Sequence, residues 1–192
     1  EVSLAEGVIV TAGAQIETCS GVAHDFTLPY GPLPEYQLAQ DKDLVDFATV
    51  SLPKGTYCKL RVEYSRYQAT AAAAAPDMPY SVQGHADIEG LTVYLAGTAE
   101  NIDPNGDGKV VNWGLKTAST VIAELDLSTI DGGQPFTITG DEPGGRALTV
   151  AKTYDVFFRG VDFATFDQAA LEAGLPDVLK SDTYVIAGVQ VY

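Results

Sequence analysis

Nitrogen ligands are scarce in this chain. Its 192 residues include two histidines, one tryptophan and only 11 lysines and arginines, against 26 aspartates and glutamates. The net charge of −15 and pI near 4.2 mean that phosphate backbones and anionic lipid surfaces are repelled, which argues against nucleic-acid binding and electrostatic membrane docking. Long apolar runs are also missing. The run Ala71–Ala75 is stopped by Pro76, far short of the roughly 20 residues that a membrane-spanning helix needs. With two cysteines, Cys19 and Cys58, neither a Cys-x-x-Cys redox pair nor a cysteine-rich zinc site can be built.

What is present describes a folded protein: 46% hydrophobic residues, with 10 tyrosines and 7 phenylalanines. The length fits one domain, 1–192, and neither a composition shift nor an internal repeat divides it. Residue 1 is Glu, so we expect a processed chain whose signal peptide has been removed, placed outside the cell or on its outer surface. An even pair of cysteines in such a chain suggests one disulfide, Cys19–Cys58. The alternative is a free thiol at Cys58 on the apolar face of a strand.

The periodicity is almost all of period two. Cys58, Leu60, Val62 and Tyr64 alternate with Lys59, Arg61, Glu63 and Ser65. Leu91, Val93 and Leu95 alternate with Thr92, Tyr94 and Ala96. Val111, Trp113 and Leu115 share a face, as do Val121, Ala123, Leu125 and Leu127. Further strands are expected at 7–18, 45–52, 80–88, 135–139, 147–159 and 183–191. One short helix is expected from Asp162 to Gly174, with Phe163, Phe166, Ala170 and Leu171 at helical spacing, Thr165 or Asp167 as cap, and Gly174-Leu-Pro176 as terminator. The fold class is therefore mainly β: an antiparallel, sandwich-like domain with long irregular loops at 24–43 and 69–79.

Residues 103–109 read Asp-Pro-Asn-Gly-Asp-Gly-Lys. Asp103, Asn105 and Asp107 occupy positions 1, 3 and 5 of a calcium loop. Gly108 falls where the backbone must turn, and Lys109 would offer its carbonyl at position 7. Alternating oxygen ligands on a tight turn converge on one hard cation. Position 12 is Gly114 rather than a bidentate Glu, so a carboxylate from elsewhere must complete the set. Glu100, Asp87 and Asp126 are candidates. A polar turn between two strands is the competing reading, and a bound calcium would be structural.

No catalytic frame stands out. No Gly-x-Ser-x-Gly turn supports a triad around His24 or His85, and no two carboxylates are singled out for glycoside chemistry. Taken singly, His24 and His85 read as surface or hydrogen-bonded structural histidines, and Trp113 as a core residue.

An acidic, secreted-looking β chain, one Asp-Pro-Asn-Gly-Asp-Gly loop, two histidines and a single Trp113 just past that loop resemble the copper-repressible surface copper-binding proteins of methanotrophs, the family of CorA and the C-terminal region of MopE. The resemblance covers nearly the whole chain and rests on overall character, since that family has no short diagnostic motif. It implies a mononuclear copper(I) site with His24 and His85 as imidazole ligands and Trp113, oxidised to kynurenine, as the third. Trp113 lies 28 residues past His85, a spacing unlike that of MopE. Copper(I) accepts low coordination, and two neutral imidazoles satisfy it without added negative charge. Asp25 and Asp87 flank the histidines and could orient them, and Met78 is a soft thioether near His85.

The leading expectation is thus a copper-acquisition protein, not an enzyme, working with a surface-associated oxidising or copper-transfer partner and binding metal ions rather than nucleic acid or a membrane interior. A calcium-stabilised adhesin or carbohydrate-binding module is the alternative, with tyrosines 30, 36, 57, 64, 67, 80 and 94 as possible platform residues. A copper oxidase or an enzyme acting on tryptophan is a third reading.

Overall fold

The computed structural model describes residues 1–28, 32–37, 49–68, 88–101, 108–141, 145–163 and 165–189. Ten antiparallel strands dominate it: β1 Val2–Thr18, β2 Ala23–Thr27, β3 Leu33–Gln37, β4 Gly55–Tyr64, β5 Val93–Asn101, β6 Lys109–Thr117, β7 Val121–Asp126, β8 Phe136–Ile138, β9 Arg146–Ala151 and β10 Tyr184–Val189. A 3-10 turn at Tyr154–Phe158 and one helix, α1, at Gln168–Asp182 complete the described elements.

The 17-residue β1 organises everything else. β5 pairs with it over Val2–Ile9 and β3 over Gly7–Thr11, while β4 pairs over Thr11–Thr18 and β2 over Gly13–Glu17. Overlapping partners must lie on opposite edges. β1 is therefore shared by two four-stranded halves, β6-β5-β1-β3 and β2-β1-β4-β7, with β8 extending the second beside β4. The register slips between Thr11 and Gly13, a bulge that bends the strand where it passes from one half to the other.

Alternation explains which face is buried. Leu60, Val62 and Tyr64 of β4, Val121, Ala123 and Leu125 of β7, and Trp113 and Leu115 of β6 point to one face and are buried. Their neighbours Arg61, Glu63, Ile122 and Glu124 point away. Each large side chain buried this way contributes about 1.5–3 kcal/mol. Of these four outward neighbours Ile122 is the apolar one, 49% exposed. The covering layer differs from a full second sheet. It is the β9–β10 ribbon, with Leu148, Val150, Val185 and Ala187 turned inward, together with the 3-10 turn and α1. α1 sits against both β6 and β7 and presses Leu175 and Leu179 into the core.

The segment 24–43, expected as an irregular loop, instead supplies β2 and β3 as partners of β1, and four further sequence expectations change. First, a register shift between Glu17↔Lys59 and Thr18↔Tyr57 makes Cys58 the extra residue of a second bulge. Tyr57 therefore takes the core-facing position and is fully buried, while Cys58 is freed to bond Cys19. Second, the helix begins six residues later than expected. Asp167, whose carboxylate accepts the Ala170 N–H, caps it, and it runs through Pro176 to Asp182 because burying Leu175 and Leu179 outweighs one missing amide donor. Phe163 and Phe166 lie ahead of the helix rather than on it. Third, the strand expected at 147–159 ends at Ala151, and Tyr154–Phe158 turns instead. Fourth, residues 49–52 are not in a strand and Ile88–Gly90 form a turn; the rest of the expected strands 45–52 and 80–88 lies outside the described residues. Elsewhere Gly132 and Gly133, with φ of 60° and 88°, make the Asp131–Gln134 turn, a conformation that any Cβ would strain.

Candidate functional site

The disulfide is present: Cys19 and Cys58 are joined, with their Cα atoms 4.8 Å apart. It clips the β1–β2 turn to the start of β4, where the Cys19 N–H also donates to the Thr56 carbonyl. The Thr18 hydroxyl and carbonyl accept from the Val22 and Gly21 amides, respectively, closing the turn that delivers β2.

His24 stands on β2 opposite Ile16. It is half-buried, with its ring 6.0 Å from and edge-on to the Tyr57 ring. Among the described residues neither ring nitrogen takes part in a hydrogen bond. At a half-buried position solvent can serve both nitrogens; neither is committed to a described neighbour. Asp25 does not support it. Its carboxylate sits on the other face of β2 and accepts from the Gln15 amide at 2.7 Å, within a polar ladder that continues from Gln15 to Arg61 and Glu124. Successive strand residues face opposite ways, and that alone removes Asp25 from the ring of His24. His85, Asp87 and Met78 lie outside the described residues.

Trp113 stands on β6 opposite Gly97 of β5. It is 4% exposed, its ring centroid 4.6 Å from that of Phe158 and 5.8 Å from that of Phe163. Its Nε1 is buried and has no hydrogen-bond partner among the described residues. A Cβ on Gly97 would stand 2.0 Å from the Ser3 carbonyl oxygen and 2.7 Å from Trp113 Cζ2. Gly97 is therefore the residue that lets the indole lie flat on the sheet. A glycine in mid-strand is a sequence signal for close approach, and it is the feature that a search for ligands passes over. His24 has its ring contact with Tyr57 and Trp113 with two phenylalanines; among the described residues these surroundings are not shared.

The calcium-loop residues Asp103, Asn105 and Asp107 lie outside the described residues, but the frame that carries them is clear. Asn101 pairs with Lys109, so 102–108 is the connection of the β5–β6 hairpin. At its foot the Glu100 carboxylate overhangs Gly108, where an added Cβ would come within 2.9 Å of Glu100 Oε1. The chain start is tied to the same place. The Glu1 amino group donates to the Glu100 carbonyl at 3.0 Å and the Glu100 N–H returns to Glu1 at 2.7 Å. Of the candidate completing carboxylates, Glu100 is thus beside the loop. Asp126 ends β7 in the other half of the sheet, and its carboxylate is held below the usual carboxylate range first by the Ser128 hydroxyl and then by the Ser128 N–H, which donates at 2.8 Å.

A further polar group lies inside the molecule. Lys152, its side chain 6% exposed, donates to Glu35 at 2.7 Å and lies over the Tyr64 ring. Thr11 donates to the other Glu35 oxygen. The Tyr64 hydroxyl meets Thr183, and the Tyr154 hydroxyl is buried nearby with no hydrogen-bond partner among the described residues. Burial pushes both phenols well above their ordinary range, with the Glu35 charge adding to the effect. The alkaline limb of stability follows. In the unfolded chain these phenols ionise near pH 10; in the folded chain they stay neutral. Stability is therefore fully present below pH 10 and is lost as pH rises above it, at about 1.4 kcal/mol per pH unit per phenol. Tyrosinate absorbance followed alongside circular dichroism should show ionisation of these two phenols only together with unfolding; their ionisation in the folded protein would contradict it.

The tyrosine platform expected of a carbohydrate-binding face is not formed by the described residues. Tyr57, Tyr64 and Tyr67 are buried and Tyr94 is half-buried against Val8, Val10 and Ile88. Alternation turns Tyr64 and the bulge at Cys58 turns Tyr57 into the main core, while Tyr67 and Tyr94 pack in the smaller cluster with Val8, Val10 and Ile88. No described helix is long and apolar enough to cross a membrane. Among the described residues no three His, Cys, Asp or Glu side chains gather closely enough to hold a metal. Comparison with protein-family models, curated proteins and solved structures finds no match for this chain.

Proposed function

We propose that this chain is a secreted or surface-associated copper(I)-binding protein that serves copper acquisition, with the metal held between the imidazoles of His24 and His85. The observation that carries the reading is His24 itself: a half-buried imidazole with both nitrogens uncommitted among the described residues. Two neutral imidazoles suit a cuprous ion, and low coordination leaves it open to hand-over. The Cys19–Cys58 bond agrees with an oxidising compartment outside the cytosol. We assign no reaction to the chain. Release of copper would fall to a transfer partner at the surface. In the same proposal the Asp103–Lys109 loop, completed by Glu100, holds a structural calcium at the far end of the β5–β6 hairpin.

Copper bound per chain, measured in competition with a cuprous chelator, tests the copper site. Removing a direct ligand exceeds the roughly 10- to 100-fold effect of outer-shell changes, so His24→Ala and His85→Ala should each weaken binding by at least about 100-fold. Binding unchanged in both variants would end the copper reading. For calcium, saturation to 100 times the dissociation constant contributes about 2.7 kcal/mol, so chelation should lower Tm by about 5–10 °C in a chain of this size, and Glu100→Gln should remove most of that difference. A Tm indifferent to chelator would exclude the calcium site without touching the copper one.

A further inference from the structure

We infer that His24 and Trp113 belong to two separate sites, and that a copper ion bound at His24 takes no ligand from Trp113, oxidised or not. The inference deepens the copper reading and rests on it for the identity of the metal.

Strand register separates the two side chains. Trp113 pairs with Gly97, and Gly97 with Leu4. His24 pairs with Ile16. The two side chains are thus anchored to β1 at positions 12 residues apart, one in each half of the sheet. At the usual rise that separation is about 40 Å along a straight strand, and about 30 Å if the bulge at Thr11–Gly13 turned the strand through a right angle. Trp113 is offset from β1 by two strand spacings and His24 by one, about 5 Å each. With that right-angle bend and every offset shortening the path, the two Cα atoms would still stand at least about 15 Å apart. Two side chains sharing one ion, each reaching about 4.5 Å to a nitrogen and bonding at about 2 Å, need Cα atoms within about 13 Å.

The neighbours of the two rings agree with the separation. Tyr57 stands beside His24, and Phe158 and Phe163 enclose Trp113. The indole is sealed beneath the covering layer, with Gly97 shaped to its edge. It is a core side chain whose Nε1 has no hydrogen-bond partner among the described residues.

The test combines Trp113→Phe with a direct proximity measurement on the wild-type chain. The phenylalanine keeps an aromatic ring against Phe158 and Phe163, and near-ultraviolet circular dichroism confirms that the variant is folded. Copper(I) stoichiometry should stay at the wild-type value and the dissociation constant should move by less than about threefold, in contrast to His24→Ala. A folded Trp113→Phe protein that no longer takes copper, beside a wild type that does, overturns the inference. Because the chain has one tryptophan and two histidines, its indole N–H and imidazole C–H resonances are assignable in an NMR spectrum. A nuclear Overhauser effect between the Trp113 indole proton and a His24 ring proton overturns the inference whether or not copper binds; its absence, with both protons otherwise showing cross-peaks to Phe158 and Tyr57, supports it. A wild-type chain that binds no copper defeats the function proposed above and leaves the spatial claim to be decided by that spectrum.

Discussion

Gly97→Ala should cost the fold about 3 kcal/mol or more, a large share of the 5–15 kcal/mol by which a domain is stable. The added methyl would stand 2.0 Å from the Ser3 carbonyl oxygen, a backbone atom held in the β1–β5 ladder, and 2.7 Å from Trp113 Cζ2. A flexible side chain could swing away; a carbonyl between two paired strands cannot move without breaking their register. Overpacking of this kind commonly costs about 1–3 kcal/mol, and the upper end applies where backbone is the obstacle. Gly114→Ala is the control. It lies on the neighbouring strand, and its nearest obstacle is the Leu95 carbonyl oxygen at 4.0 Å, so its loss should stay near the propensity difference alone. Urea unfolding followed by emission of the single Trp113 reads both variants. A loss below about 1 kcal/mol for Gly97→Ala would show that the indole does not lie where the structure places it.

Removal of the Cys19–Cys58 bond should have an effect of similar size through a different state of the chain. The bond closes a loop with a sequence separation of 39, and the chain-entropy relation assigns about 4 kcal/mol to a loop of that length. Much of that stabilisation comes from restricting the unfolded ensemble. A second effect is local. β2 is a five-residue strand paired to β1 alone among the described strands, and its entry turn is pinned to β4 by this bond. The double variant Cys19→Ala, Cys58→Ala should therefore lose stability globally and show faster amide exchange in β2 than in β5 or β6. The alanine pair is preferable to chemical reduction, because freed thiolates would themselves take up cuprous ions. A change under about 1 kcal/mol with β2 exchange unaltered would refute both parts.

Much of the sheet was legible before any coordinates. Leu60, Val62 and Tyr64 of β4 and Val121, Ala123 and Leu125 of β7 face inward as their alternation requires, because period two is a local property of extended chain. Asp167 as helix cap was legible for the same reason: a cap is a contact across three residues. The end of that helix was not. Pro176 is a sound local stop signal, and it was overridden by Leu179, which is fully buried under a sheet that no local window contains. The position of Cys58 was misread likewise. A single extra residue in β4 reverses the faces of everything before it, and a bulge is visible only once the partner strand is known. Tyr57 went from possible surface platform to core on the same account.

For the candidate site the division is sharper. Residue types alone determined the cast: two imidazoles, one indole, a loop of alternating oxygens and a pair of cysteines in a strongly acidic chain. Composition is enough for that, because the chemistry a side chain can perform travels with the side chain. Which of them meet was decided by tertiary structure alone. β1 is long enough to carry β5 at one end and β2 at the other, so Trp113 and His24 are held in different halves of one sheet. The same pairing brings Glu1 and Glu100 to the foot of the hairpin that carries the Asp103–Lys109 loop, and Glu35 to Lys152 across 117 residues of chain. Distance in a sheet is set by strand order and register, both of which arise from pairing between remote segments.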